Sequence, residues 1–263
     1  MSQTTNTLLM IRPVQFRLNE QTAIDNFYQK SIENTDPSIV NAKAVKEFDG
    51  LVKKLEAVGV QVIVVNDTKE FDTPDSIFPN NWISFHSKKR IAIYPMYAKN
   101  RRLERNDKII KFIESKGIEI DFINDYSEAE NHNLFLEGTG SMVLDRLNKK
   151  SYCSLSERTS ESLVEEFCDE FNYMPIIFKS YQSIDKERKL IYHTNVMMCL
   201  GDAFSLICLE SIESLSEQKK LKEAAKTAAI GGDYAGATSL VNKAMVPETM
   251  TNMAMMLVTL SFR

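Results

Sequence analysis

The sequence predicts an α/β protein assembled from a repeated strand–strand–helix–strand unit. Two observations carry this expectation. Stretches rich in β-branched and aromatic residues alternate with stretches whose apolar residues recur every three or four positions, the patterns of strands and helices. The strand pairs that open successive repeats begin at Trp82, Ser141 and Asn195, spacings of 59 and 54 residues, which points to a ring of small sheets. A generic α/β domain with accidental spacing is the alternative. With 263 residues the chain can bury a substantial core as one large domain or two small ones.

Each element follows from its residues. Leu8–Arg12 reads as a first strand. Residues 41–59 read as a helix, because Ala44, Val45, Phe48, Leu51, Val52, Leu55 and Val58 share one face. Gly59 stops it, and Val60–Val65 follows as a buried strand. Trp82–His86 and Arg90–Met96 form a hairpin around Ser87-Lys88-Lys89, then come a helix over Arg102–Lys116, Gly117 and the strand Ile118–Ile123. The order recurs as Ser141–Asp145, Tyr152–Leu155, the helix Ser160–Phe171 and the strand Met174–Phe178. It starts again with Asn195–Leu200, the turn Gly201-Asp202, Phe204–Leu209 and a helix from Leu215.

The last repeat does not finish as the others do. Gly231-Gly232-Asp233, a second helix near 235–245, Pro247 and a Met-rich end follow, with Met250, Met253, Met255 and Met256 suited to packing apolar surface. The ring is therefore expected to lack a normal final repeat. The main domain spans residues 1–220, and a divergent helical tail spans 221–263.

Composition excludes several classes. A net charge of −4 gives no basic surface for nucleic acid. Runs such as Val196–Leu200 and Phe204–Leu209 are too short to span a bilayer, and the N-terminus lacks the pattern of a secretory signal. Cys153, Cys168, Cys199 and Cys208 show no C-x-x-C spacing, which predicts free thiols in a reducing cytoplasm. Three histidines without H-x-x-x-H spacing predict no metal site. A small-molecule partner, no cofactor and no membrane are expected, and a homo-oligomer is compatible with all of this.

Three segments look like parts of one active site. In the first, Pro74 and Pro79 restrict the backbone around Asp75, Asn80 and Asn81. The two asparagines could close a turn. Alternatively, an amide offers a donor beside an acceptor and so matches a neutral ureido group, whereas a guanidinium calls for carboxylates. In the second, Glu137 ends the apolar run Leu134-Phe135-Leu136 and suits proton transfer, or faces water as a strand-end charge. Gly138-Thr139-Gly140 after it lacks the features of a nucleotide loop and is expected to open a strand. In the third, His193 before a strand suits general acid–base work, or serves as a structural hydrogen-bonder; His86 and His132 are weaker candidates. Arg102, in Arg101-Arg102-Leu103-Glu104-Arg105, and Arg158 either pair with glutamates or grip a carboxylate.

These motifs resemble the guanidino-group-modifying superfamily of arginine deiminases, dimethylarginine dimethylaminohydrolases and amidinotransferases. The nearest likeness is to bacterial citrulline-utilisation hydrolases, through Thr5-Asn6-Thr7-Leu8-Leu9-Met10-Ile11-Arg12-Pro13, Phe78-Pro79-Asn80-Asn81-Trp82, Asn100-Arg101-Arg102-Leu103-Glu104-Arg105 and His193-Thr194-Asn195-Val196-Met197-Met198. It covers roughly residues 5–220. The resemblance implies a pentein-type β/α propeller in arginine metabolism. It also implies that Asp75, Asn80 and Asn81 hold the planar group of a substrate such as citrulline, and that Arg102 and Arg158 receive its α-carboxylate. Glu137 and His193 would then form the acid–base pair.

That superfamily uses a C-terminal cysteine to attack the substrate carbon. This chain has no cysteine after Cys208. Cys199, six residues past His193, would lie roughly 20 Å from it along one strand. Cys208 could approach only through the hairpin register, and Cys153 and Cys168 read as packing residues. The expected function is citrulline hydrolysis, impaired by the absent nucleophile. An inactive remnant that binds a ureido or guanidino amino acid is the alternative, and an amidinotransferase a further one.

Overall fold

The computed structural model describes residues 3–29, 36–202 and 204–226, together with the backbone of 259–260. The chain divides into two compact units, Thr5–Glu128 with Met256–Arg263, and Met1–Thr4 with Ala129–Met255.

In the first of these, β1 (Thr7–Arg12) pairs in parallel with β2 (Gln61–Asn66), Thr7 facing Gln61 and Arg12 facing Asn66. The connecting helix α1 (Pro37–Ala57) starts earlier than its apolar periodicity suggests. Asp36 caps it, accepting from the Ser38 amide at 2.8 Å, and Pro37 fits the first turn where no amide is needed. The expected burial of the second strand is corrected. Only Ile63 in β2 is buried, because β2 lies at a sheet edge.

After a 3₁₀ turn at Pro79–Asn81, β3 (Ile83–His86) and β4 (Arg90–Ile93) form the expected hairpin. Ser87, Lys88 and Lys89 form the turn, and Lys88 and Lys89 both take positive φ. The single helix expected over Arg102–Lys116 is instead two pieces, a 3₁₀ segment Lys99–Glu104 and α2 (Asp107–Ser115). Arg105 is extended between them, and Asn106 caps α2 through the Lys108 amide at 2.9 Å. The strand expected at Ile118–Ile123 lies later, as β5 (Phe122–Asp125), parallel to β4. Leu9, Ile11, Trp82, Phe85, Ile91 and Ile113 lead the core of this unit.

The second compact unit opens with a helical turn, α3 (Gly138–Ser141), then β6 (Met142–Asp145), β7 (Lys150–Ser154), α4 (Glu161–Phe171) and β8 (Met174–Phe178). The β6–β7 pair is antiparallel and β7–β8 parallel, the topology already seen in β3, β4 and β5. Asn172 ends α4 in the left-handed conformation. A hairpin of β9 (Tyr181–Ile184) and β10 (Glu187–Leu190) was not expected. None of its strand residues is fully buried and β10 is mostly charged, so no apolar alternation marks it. The sequence places a strand over Asn195–Leu200; here a 3₁₀ turn at Thr194–Val196 precedes the shorter β11 (Met198–Leu200). It pairs antiparallel with β12 (Ser205–Ile207), and α5 (Leu215–Lys226) follows. Tyr152, Phe178, Met197, Met198 and Leu221 are central to this second core. The boundary expected between residues 220 and 221 falls inside α5.

A short strand near the chain's end, β13 (Thr259–Leu260), pairs antiparallel with β1, Thr7 facing Leu260. The Met-rich sequence gave no sign of it. The order β13-β1-β2 repeats the combination of one antiparallel and one parallel neighbour. The helix expected near 235–245 and the packing of Met250, Met253, Met255 and Met256 fall outside the described residues. Among the described residues no helix is long and apolar enough to cross a membrane, and no cluster could hold a metal ion.

Candidate active site

Glu137 ends a buried run, Phe135-Leu136, and its backbone is wrapped by the turn that follows. Its amide meets the Arg158 carbonyl at 3.2 Å and the Ser141 hydroxyl at 3.0 Å, while its carbonyl accepts from Gly140 and Ser141. The expectation that Gly138-Thr139-Gly140 opens a strand is corrected. These residues form α3, entered through Gly138 at φ 44°, a conformation open to glycine because it has no Cβ.

Thr194 fixes the backbone beside His193. Its hydroxyl donates to the Ser141 carbonyl at 2.5 Å and accepts from the Ser154 amide at 2.7 Å. His193 Nε2 then lies 2.7 Å from Glu137 Oε2, with Glu137 fully buried and His193 4% exposed. A carboxylate only accepts, so Nε2 carries a hydrogen in this contact. Such a contact fixes the plane of the imidazole, the side chain here suited to taking up or returning a proton.

Arg158 joins this pair. Its Nη1 donates to the same Glu137 oxygen at 3.3 Å, and its guanidinium lies 4.8 Å from the centre of the Tyr192 ring. Tyr192 in turn contacts the His193 ring, with centroids 4.7 Å apart. The sequence pairs Glu137 with His193 and assigns Arg158 apart from them, to a carboxylate; the structure brings all three together, and Tyr192 is an addition.

A second cluster occupies the other compact unit. Asp75 is buried and its Oδ2 accepts from Asn19 Nδ2 at 2.7 Å and Thr22 Oγ1 at 2.9 Å. Asn80 and Asn81, both buried, lie in the 3₁₀ turn before β3, so they do form a turn as their plainer role predicts. Asn81 Oδ1 also accepts from Arg101 Nη1 at 2.7 Å. Arg101 is buried and forms a two-pronged pair with Glu104, both contacts at 2.9 Å. Arg102 is half-buried, and its Nε donates to the Met96 carbonyl at 2.9 Å. Arg101, Asn19 and Thr22 were missed as site residues. Asn19 and Thr22 stand more than fifty positions before Asp75 and carry no motif, whereas Arg101 was visible as half of an Arg-Arg pair.

The weaker candidates fall elsewhere. His86 Nε2 lies 2.6 Å from Ser84 Oγ, which also meets the Tyr94 hydroxyl at 2.6 Å, in a buried network. His132 ends a 3₁₀ segment. Among the cysteines, burial pushes the Cys153 thiol well up and the Cys168 thiol up to about 11. Cys199 reaches solvent, yet it packs closely enough that its thiol is also pushed up by burial. It does not share one strand with His193 as expected, since the Thr194–Val196 turn intervenes. A thiol nucleophile needs the opposite shift.

The family model described as N,N dimethylarginine dimethylhydrolase, eukaryotic, matches residues 12–230. No curated protein matches the sequence. The chain is similar to the N-terminal domain of ArgZ, an arginine dihydrolase from the ornithine-ammonia cycle in cyanobacteria, solved bound to substrate. Identity there is 14% and the TM-score 0.62, over 98% of this chain and 90% of that one. AgrE in complex with L-arginine gives 16% identity and a TM-score of 0.60, over 98% of this chain and 37% of AgrE. DDAH from Pseudomonas aeruginosa, complexed with citrulline, gives 15% and 0.51, over 81% of this chain and 73% of that one. At these identities the likeness is one of fold, and the fold is the mixed α/β fold of the pentein structures. With the family model spanning most of its length, the chain belongs to the N,N dimethylarginine dimethylhydrolase family, within the guanidino-group-modifying superfamily that its motifs resemble.

Proposed function

We propose that the protein is a C–N hydrolase of the ureido group of citrulline, working slowly because it lacks the family's nucleophilic cysteine. The observation that carries this is the buried contact between His193 Nε2 and Glu137 Oε2 at 2.7 Å, which sets an acid–base side chain against a carboxylate that orients it. Asp75, Asn80 and Asn81 hold the ureido group, and Arg102 and Arg158 receive the α-carboxylate. The repeated sheets are blades of a pentein-type β/α propeller whose final repeat is abnormal, and the enzyme works in the cytoplasm.

The chemistry balances without a thiol. Water gives a proton to His193 and adds to the ureido carbon. The proton passes to the terminal amine, which leaves as ammonia, and the carbamate that remains loses carbon dioxide to give ornithine. Glu137 stabilises the histidinium formed on the way. Loss of a covalent nucleophile typically costs several powers of ten in rate, while binding and charge stabilisation leave a residual acceleration.

A specific observation favours a second reading, a binder that turns nothing over: three of the four thiols are pushed up rather than down. An amidinotransferase fits less well, because its guanidine donor would meet amides at Asn80 and Asn81. Calorimetry with citrulline and with ornithine tests the reading. Citrulline should bind and ornithine, which has no ureido group, should bind at least tenfold more weakly. Equal binding of the two would remove the ureido group from the account.

A further inference from the structure

We infer that Arg101 is a positioning residue that fixes which side of the Asn81 amide faces the substrate, and so makes the protein select a ureido group over a guanidinium. The inference rests on the function proposed above and adds the residue that sets its selectivity.

The argument starts from the hydrogen-bonding chemistry of arginine. A guanidinium has only donors, so the Asn81 atom 2.7 Å from Arg101 Nη1 has to be the oxygen. Turning the amide over would set its NH₂ against an N–H. The guanidinium itself cannot swing aside. Its Nε and Nη2 are each held by a different oxygen of Glu104, both at 2.9 Å, and both side chains are almost wholly buried. Nη2 also donates to the Phe78 carbonyl at 3.2 Å and the Asp75 carbonyl at 3.4 Å, tying down the segment that carries Asp75 and Asn81.

The amide therefore presents Nδ2, a donor, on its other side. Asp75 presents the opposite character. Asn19 and Thr22 both bind its Oδ2, leaving Oδ1 as an acceptor. One donor and one acceptor match a ureido group, which offers a carbonyl oxygen and N–H groups. A guanidinium offers N–H groups alone, so one of them would face Nδ2 of Asn81. A clash of donors of this kind costs about 1–3 kcal/mol, roughly five- to 150-fold in affinity.

The test is the ratio of citrulline to arginine affinity, measured by calorimetry on the full chain. The wild type should favour citrulline by about tenfold or more. Asn81→Asp keeps an acceptor toward Arg101 and puts a second acceptor where Nδ2 was, so it should invert the ratio. Arg101→Lys removes the planar fork, frees the amide to turn and should bring the ratio toward one. A merely structural role would weaken both ligands alike and leave the ratio unchanged. Equal affinity in the wild type, or the wild-type ratio in folded Asn81→Asp, would overturn the inference. Failure of the wild type to bind either ligand would instead overturn the proposed function.

Discussion

Glu137 Oε2 is shared: His193 Nε2 approaches it at 2.7 Å and Arg158 Nη1 at 3.3 Å, all three side chains being almost wholly buried. One carboxylate oxygen thus orients the imidazole and takes charge from the guanidinium. Catalytic geometry and folding stability are coupled through that atom.

Arg158→Ala should be strongly destabilising. It takes a buried cation away from a buried carboxylate, a change that costs about 3–5 kcal/mol. Urea denaturation followed by circular dichroism should show the midpoint falling accordingly. Arg158→Ala together with Glu137→Gln should recover part of the loss, because no carboxylate is then left uncompensated.

Thr194→Ala should cost about 1–3 kcal/mol, because the Ser141 carbonyl and the Ser154 amide both lose a buried partner. Thr194→Ser keeps the hydroxyl and should stay near wild-type stability. Citrulline turnover should follow the same order, since the hydroxyl holds the backbone next to His193.

Thiol labelling should divide the cysteines. Cys153 and Cys168 are buried with raised pKa values, Cys168 at about 11, so raising the pH from 7 to 9 leaves both almost entirely protonated. In native protein only Cys199 and Cys208 should react with a maleimide on the minute timescale, and all four should react in denaturant. Peptide mass spectrometry after labelling checks this.

Asp67 carries a pH dependence of stability. Burial raises its pKa above the unfolded value, despite the Ser76 hydroxyl at 2.7 Å. The native state therefore favours the protonated form. Its stabilising share is complete below the unfolded pKa and is lost as pH rises through the folded one. Urea midpoints of the wild type should fall across that acidic window relative to those of Asp67→Asn. A difference between the two proteins that stays constant with pH would show that Asp67 has no part in it.

Much of the fold was legible in the sequence, because apolar periodicity reports burial directly. The β3–β4 hairpin is buried almost throughout, α4 buries one apolar face, and both were placed closely. The misses share a physical cause. The β9–β10 hairpin has no fully buried residue and no apolar alternation, and β2 lies at an edge, so its Val residues did not imply burial. Asn106 looked like one polar residue within a helix, although its side chain starts a new one. At the site, residue types suggested Glu137 and His193 as chemistry, but only coordinates show that Arg158 bonds to Glu137. The role of Arg101 depends on which atom of Asn81 it touches, and a sequence does not contain that.

The most direct test is ammonia and ornithine release from citrulline, using protein whose accessible thiols have been alkylated and His193→Ala as the control. The account predicts slow release, equal amounts of the two products, no effect of alkylation and loss of the signal in the variant. Fast turnover abolished by alkylation, or release that persists in His193→Ala, would contradict it.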